Sequence, residues 1–367
     1  MILLAPFALV YSALMIFRAW CYRVGVLPSE SSGAFVISIG NIQAGGTGKT
    51  PMVDFFARRW RNKIRVGIVS RGYGRKSTGS HRVDPNDVDA AEKFGDEATW
   101  LARSLENVPV QVGEKRVRAA QDLIVSEGVT SILLDDGFQH SALRRSFDIV
   151  LIDVSAPAWH WRPIPWGRLR EPVGSLRRAD FIILTKTESV PTEKVDEVEK
   201  HVRYWAGENR TTFDGRAAKL RIVQFRQKVS WPKLSAEPLV LAAGLARPEA
   251  FFAMVLSHES KPNVVATISF PDHHDFTVDD VLRLKRAALE KRSNRVLVTE
   301  KDAVKLSGIW STVDGEGRVD LVVSKLEVLP ARESDEVELE HVDEVILGEV
   351  RRLPRPSTQF PRSKSAD

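Results

Sequence analysis

Residues 45–50, Gly-Gly-Thr-Gly-Lys-Thr, combine a pliable backbone with one cation and one hydroxyl. Small residues let backbone N–H groups converge on phosphate oxygens, lysine neutralises terminal phosphate charge, and a threonine hydroxyl suits Mg2+. Gly45, Gly46, Thr47, Gly48, Lys49 and Thr50 therefore read as a nucleoside triphosphate site. The strict spacing G-x-x-x-x-G-K-[ST] would put its first glycine where this chain has Gln43. A glycine-rich turn can also be no more than a left-handed bend, but an apolar run before it and a helical pattern after it favour phosphate.

Five further segments could join that chemistry. The run Ile132-Leu-Leu-Asp-Asp ends in Asp135 and Asp136, the form of a metal-holding strand end, although an acidic strand end alone is also an ordinary turn. Asp96 and Glu97 precede a helical pattern; one could accept a proton from an attacking hydroxyl, or both could simply cap the helix. Ser70-Arg-Gly-Tyr-Gly-Arg offers Arg71, Tyr73 and Arg75 from a tight loop, a set suited to a phosphorylated sugar or to a plain surface turn. Phe270-Pro-Asp-His-His-Asp-Phe could be a metal site, a carboxylate–histidine relay through His273, or a polar loop. A His-rich first shell does not suit magnesium. Glu171, in Arg-Glu-Pro, is a further carboxylate for a metal, whereas residues 297–302 read as a strand end and a capped helix start.

The elements that must position these groups alternate. Apolar, β-branched runs predict strands at 35–39, 66–70, 132–135, 148–153 and 181–185. Helices are expected at 52–60, 97–104 and 116–126. This is an α/β pattern: a P-loop-type, mostly parallel sheet flanked by helices, with ligands at the carboxyl ends of strands. A second, smaller α/β unit begins near residue 238, with strands at 264–270 and 295–299 and a Thr277…Asp280 capping box. The expected organisation is an apolar N-terminal helix over 1–27 and the P-loop unit over 28–215. A linker follows over 216–237, with a strand-like run at 218–225 inside it, then the unit carrying His273 over 238–345, and a basic, disordered tail over 346–367.

The chain has 367 residues, long enough for two cores, and a net charge of +5. Its single cysteine, Cys21, excludes an intrachain disulfide framework and a Cys-based zinc site. Arginine clusters at 58–65 and 162–178 read as solvated faces or as partners for an anionic surface. No nucleic-acid motif accompanies them, so no nucleic-acid partner is expected, and no obligate protein partner is evident. Residues 1–17 carry no charge; with no basic region before them and no small-residue cleavage site after, they read as a membrane anchor rather than a removable leader.

Taken together, these segments resemble the tetraacyldisaccharide 4'-kinase (lipid A 4'-kinase) family. The matching pieces are the apolar N-terminus, Gly40-Asn41, Gly45 to Pro51, Ser70 to Arg75, Gly95-Asp-Glu97, Val112-Gly113 with Arg116, Leu134 to His140, Leu169 to Pro172, Phe270 to His273 and Thr299 to Val304. The resemblance implies transfer of the γ-phosphoryl group of ATP, with Mg2+, to the 4'-hydroxyl of a lipid disaccharide 1-phosphate at the cytoplasmic face of the inner membrane of a Gram-negative bacterium. By it, Lys49 and Thr50 serve phosphate and metal, with Asp135, Asp136 and Glu171 around the metal. Asp96 is the base and His273 its partner, in a dyad that assembles as the two units close. Arg71, Tyr73, Glu97, Arg116, Gln139 and His140 stand on the substrate side. The chain departs from the family at Ala98, where proline is usual, and in a longer extension beyond Ile346.

Two other readings remain open on the residues: a soluble P-loop kinase or ligase of a small polar metabolite, and a nucleotide-switched binding protein. The apolar N-terminus opposes the first, and the second leaves Asp96 and His273 without a task.

Overall fold

The computed structural model describes residues 2–207, 209–211, 217–232, 237–313 and 318–353. The apolar runs form strands because their side chains can be buried on both faces of a sheet, as β1 (Phe35–Asn41) shows along its whole length. In chain order the first half holds α1 (Ala5–Arg23), β1, α2 (Lys49–Trp60), β2 (Val66–Ser70), β3 (His81–Arg82), α3 (Ala90–Phe94), α4 (Asp96–Ser104), β4 (Val110–Val112), α5 (Arg116–Glu127), β5 (Ser131–Asp135), β6 (Phe147–Asp153), β7 (Phe181–Thr185) and α6 (Thr192–Ala206). A short pair, β8 (Asn209–Thr211) and β9 (Ala217–Lys219), and then β10 (Arg221–Ser230), lead on. The second half holds β11 (Leu239–Gly244), α7 (Pro248–Leu256), β12 (Val264–Phe270), α8 (Val278–Glu290), β13 (Arg295–Thr299), α9 (Glu300–Trp310), β14 (Asp320–Pro330) and α10 (Glu333–Arg352).

Twelve strands form one sheet in the order β12-β11-β13-β14-β10-β7-β6-β1-β5-β2-β4-β3. The strands of the first half are parallel except β3. The seam is β10, which pairs parallel with β7 and antiparallel with β14. Register aligns the working ends: Ile39 lies across from Asp135, and Asp153 across from Thr185. Carboxyl ends of adjacent parallel strands thus open onto one rim, where such sheets bind ligands.

Two expectations are corrected. The segment expected as a linker contains β10, which takes up the strand-like run at 218–225 and continues through polar Arg226, Gln227 and Lys228, and whose backbone bonds join the two halves. The residues of the expected linker and tail at 216, 233–236 and 354–367 lie outside the described residues. The chain from 346 to 352 is not a disordered tail but the end of α10. Leu339, Val342, Ile346 and Val350 recur at helical spacing and pack with Met52, Phe56 and Trp60 of α2, so the chain returns to the core of its first half.

That return is held by Asp343, 5% exposed. It accepts from Trp60 Nε1 (2.7 Å), Arg59 Nε (2.9 Å) and Lys63 Nζ (3.1 Å). Much of the 58–65 basic cluster is therefore paired within the protein; Arg58 likewise bonds Asp54. Asp343→Ala would leave the buried Trp60 N–H without an acceptor and two cations without a counter-charge. An unfolding free energy lower by about 2–4 kcal/mol in urea titrations is expected. An unchanged midpoint would mean that α10 does not dock through this contact.

Candidate active site

The phosphate loop is braced on every side. Gly48 takes φ 85°, a left-handed turn that lets α2 start at Lys49. Asn41 Nδ2 donates to Thr47 Oγ1 (2.6 Å), Thr185 Oγ1 to the Thr47 carbonyl (3.1 Å), and Lys186 Nζ to the Gly46 carbonyl (2.6 Å). Gln43 is buried, and its Oε1 accepts from the backbone N–H of Asp153 (3.2 Å). A side chain at the usual first-glycine position thus ties the end of β1 to β6, and the loop geometry survives. Gly45 and Gly46 have open space around them, and Thr50 lies in the first turn of α2.

On the β5 side the carboxylates gather. Lys49 Nζ lies 3.7 Å from Asp136 Oδ1, and Arg170 Nη1 donates to both Asp136 oxygens at 2.8 Å. Burial raises the Asp136 carboxyl, but Lys49 and Arg170 outweigh it and hold the group below the usual range. Asp135 differs: Ser70 Oγ donates to its Oδ2 (3.0 Å), while its Oδ1 is buried without a hydrogen bond. Burial, and then the negative charges of Glu97 and Asp136, push its carboxyl up to about 7. Among the described residues no three His, Cys, Asp or Glu side chains form a metal cage. Mg2+ is commonly held by one or two carboxylates with waters and phosphates, so an under-compensated Asp135 beside Asp136 is a donor set that fits it. Glu171 is buried and accepts from Arg178 Nη2 (2.8 Å), with no described contact to Asp135 or Asp136.

Asp96 opens α4 behind Gly95, whose φ of 92° only glycine adopts readily. A Cβ there would stand 2.8 Å from the Tyr73 carbonyl, so the Arg71–Arg75 loop packs directly on this helix start. Asp96 Oδ1 accepts from the Glu97 N–H (2.9 Å), so the helix begins without the family's proline. Its Oδ2 is bonded to His273 Nδ1 (3.0 Å), with Lys301 Nζ at 3.9 Å and Lys305 Nζ at 3.8 Å. Burial raises the Asp96 carboxyl; the histidine bond and the lysine charges prevail and set it below its ordinary value. The bond to Asp96 raises the His273 imidazole against the effect of burial. The dyad stands assembled here: α4 and α9 pack together, which brings Lys301 and Lys305 to Asp96.

The substrate-side residues divide. The exposed Tyr73 ring lies 5.4 Å from that of His273. Glu97 lies 4.0 Å from Lys301 and close enough to Asp135 to act on its charge. Arg116 is buried with its Nε unpartnered, and burial, followed by the neighbouring Arg71, lowers its affinity for a proton. Burial and the charges of Arg116, Arg145, Arg18 and Arg71 lower His140 to about 4, so it is neutral at pH 7. Gln139 is a structural tie, donating from Nε2 to the Asn41 carbonyl (2.9 Å).

Sequence reading passed over Lys301 and Lys305, whose i,i+4 spacing on α9 aims both at Asp96. It also passed over Asp153, which ends an apolar strand just as Asp135 does. Asp136, Lys186 and His273 take positive φ (51°, 63° and 59°) without being glycine, as Asn107, Lys261 and Arg292 do elsewhere in the chain.

A family model described as LpxK, tetraacyldisaccharide-1-P 4'-kinase, matches residues 1–351. A tetraacyldisaccharide 4'-kinase of Syntrophotalea carbinolica is 36% identical over 315 residues, 83% of each chain. One from Halothermothrix orenii is 33% identical over 314 residues, 81% of each chain. A crystal structure of LpxK from Aquifex aeolicus in complex with ATP superposes with a TM-score of 0.69 at 26% identity, covering 94% of this chain and 98% of that one.

Proposed function

The chain belongs to the tetraacyldisaccharide-1-P 4'-kinase family, and we infer from its site how it carries the γ-phosphoryl group of ATP to the 4'-hydroxyl of a tetraacylated disaccharide 1-phosphate. The observation that carries this reading is the bond between buried Asp96 and part-exposed His273, beside the phosphate loop and its carboxylates.

The backbone of residues 45–50 and Lys49 hold the terminal phosphates. Thr50, Asp135 and Asp136 would hold Mg2+, with Glu171 a further candidate that its bond to Arg178 disfavours. Bound there, the metal supplies positive charge to the transferring phosphoryl oxygens. Asp96 accepts a hydrogen bond from the 4'-hydroxyl and orients its oxygen at the γ-phosphorus. Because its proton affinity is lowered, it takes the proton as the new P–O bond nears completion rather than forming an alkoxide first. His273 fixes the carboxylate and shares the proton's positive charge. Arg116 and neutral His140, each with an unpartnered ring or guanidinium nitrogen, suit the substrate's own phosphate, with Arg71 beside Arg116. The reading is tested with γ-labelled ATP and purified disaccharide 1-phosphate in detergent micelles. Labelled lipid is expected, and ATP hydrolysis without labelled lipid would sink the acceptor.

A lipid substrate calls for a lipid surface. Of the nineteen residues of α1, only Ala8 and Cys21 are buried; Phe7, Leu9, Ile16, Phe17 and Trp20 are exposed. The helix is long and apolar enough to cross a membrane. It is also tied to the site, since Tyr11 Oη donates to the Arg170 carbonyl (2.8 Å) and Arg18 Nη1 to that of Gln139 (3.2 Å). This anchorage supports a helix lying in the inner leaflet at the cytoplasmic face. Deleting α1 would disturb Arg170 as well as the membrane contact, so surface substitutions are the cleaner test. Phe17→Ser with Trp20→Ser is expected to cut vesicle co-sedimentation by about tenfold or more. Turnover of a short-chain, soluble acceptor should be unchanged. Undiminished sedimentation would move the membrane contact elsewhere.

A further inference from the structure

The position of the adenine follows from which side of the phosphate loop is already taken, given that residues 45–50 are the ATP site. Lys49, Asp135, Asp136 and the Asp96 dyad all stand on the β5 side of β1, so the γ-phosphate lies there. The nucleoside must leave on the β6–β7 side. On that side β6 ends in Asp153, 4% exposed. Its Oδ2 accepts from Lys186 Nζ (2.6 Å) and from Arg247 Nη2 (3.0 Å), and Ser155 holds its Oδ1. Lys186 also donates to the Gly46 carbonyl, and its side chain is nearly covered, so it is a prop for the loop. Arg247 is different. It stands just before α7 of the second half, and its side chain remains half exposed while Asp153 holds its guanidinium by one nitrogen.

We propose that the Arg247 guanidinium, held on Asp153, is the face on which the adenine ring of ATP stacks, with Lys186 fixing the phosphate loop beside it. A guanidinium is planar and weakly hydrated, and it stacks on aromatic faces as an ammonium does not. Asp153 is on this view a positioning residue, acting through the two cations it holds.

Calorimetric titration of the full chain in detergent, with Mg2+, compares ATP with inorganic tripolyphosphate for wild type, Arg247→Lys and Arg247→Ala. Both variants should bind ATP about tenfold more weakly relative to tripolyphosphate than wild type does. Arg247→Lys, which keeps the charge, should bind tripolyphosphate as wild type does, and that binding also reports an intact loop. Equal losses for both ligands would make Arg247 a phosphate contact and overturn the proposal, as would no loss for either. Wild-type protein with no preference for ATP would overturn this inference together with the nucleotide reading. Failure of lipid labelling would touch only the acceptor.

Discussion

Asp96→Asn is expected to lower the rate of phosphoryl transfer by about 100-fold or more while leaving ATP affinity within about twofold. Asparagine fills the same space and can still bond His273, but its amide takes no proton from the attacking hydroxyl. The nucleotide should not notice the change, because the phosphate loop is braced by Asn41, Thr185 and Lys186 and not by Asp96. The prediction is checked by single-turnover transfer from γ-labelled ATP beside a direct ATP-binding titration. A variant with near wild-type transfer would remove Asp96 from the chemistry and leave it the helix start that its bond to the Glu97 N–H already makes it. The partner variant sharpens the test. His273→Ala removes the bond that helps hold the Asp96 carboxyl low, while burial and the two lysines remain. Its pKa then rises, protonation sets in at higher pH, and the acid limb of the activity profile should move upward. A mere loss of folded protein would scale the whole profile without moving that limb.

The parallel strands of the first half were legible because they are short apolar runs buried on both faces, and β2 and β7 fall on their expected residues. What defeated the reading was long-range pairing. In β10 the strand-like run at 218–225 reads only as part of a connection, and its partners β7 and β14 are what make it the seam of the sheet. In α10 a dense set of acids masks four apolar residues at helical spacing, whose burial depends on α2 at the other end of the chain. The site shows the same division. Residues 45–50 and 135–136 carry their chemistry in local spacing. Asp96 and His273 are 177 positions apart, so local composition left a cap and a polar loop as equal alternatives, and only the order of motifs shared with a family joined them. Asp153 was within reach, since an apolar strand ending in an aspartate had already been taken as a signal at Asp135. Its importance lies in Lys186 and Arg247, which only the folded chain brings to it.

Asp135→Asn should move stability and activity in opposite directions. Asp135 Oδ1 is buried without a hydrogen bond, in the negative field of Glu97 and Asp136, so the carboxylate is a cost to the fold. A neutral amide of the same shape relieves the repulsion and can keep the bond to Ser70. In urea titrations with a chelator present, the variant is expected to be more stable by about 1–3 kcal/mol. Phosphoryl transfer should nevertheless fall by roughly 1000-fold, because the amide brings no negative charge to a divalent cation. Added Mg2+ should raise the unfolding midpoint of the wild type and do so much less in the variant, since a ligand that binds only the folded state stabilises it in proportion to its affinity. That response separates a metal site from a simple packing defect. A variant less stable than wild type, or equally responsive to Mg2+, would place the metal on other groups. The gain in stability is the more telling result. A carboxylate kept where the fold would be sturdier without it is retained for what it does, as strain and unsatisfied charge at working sites generally are.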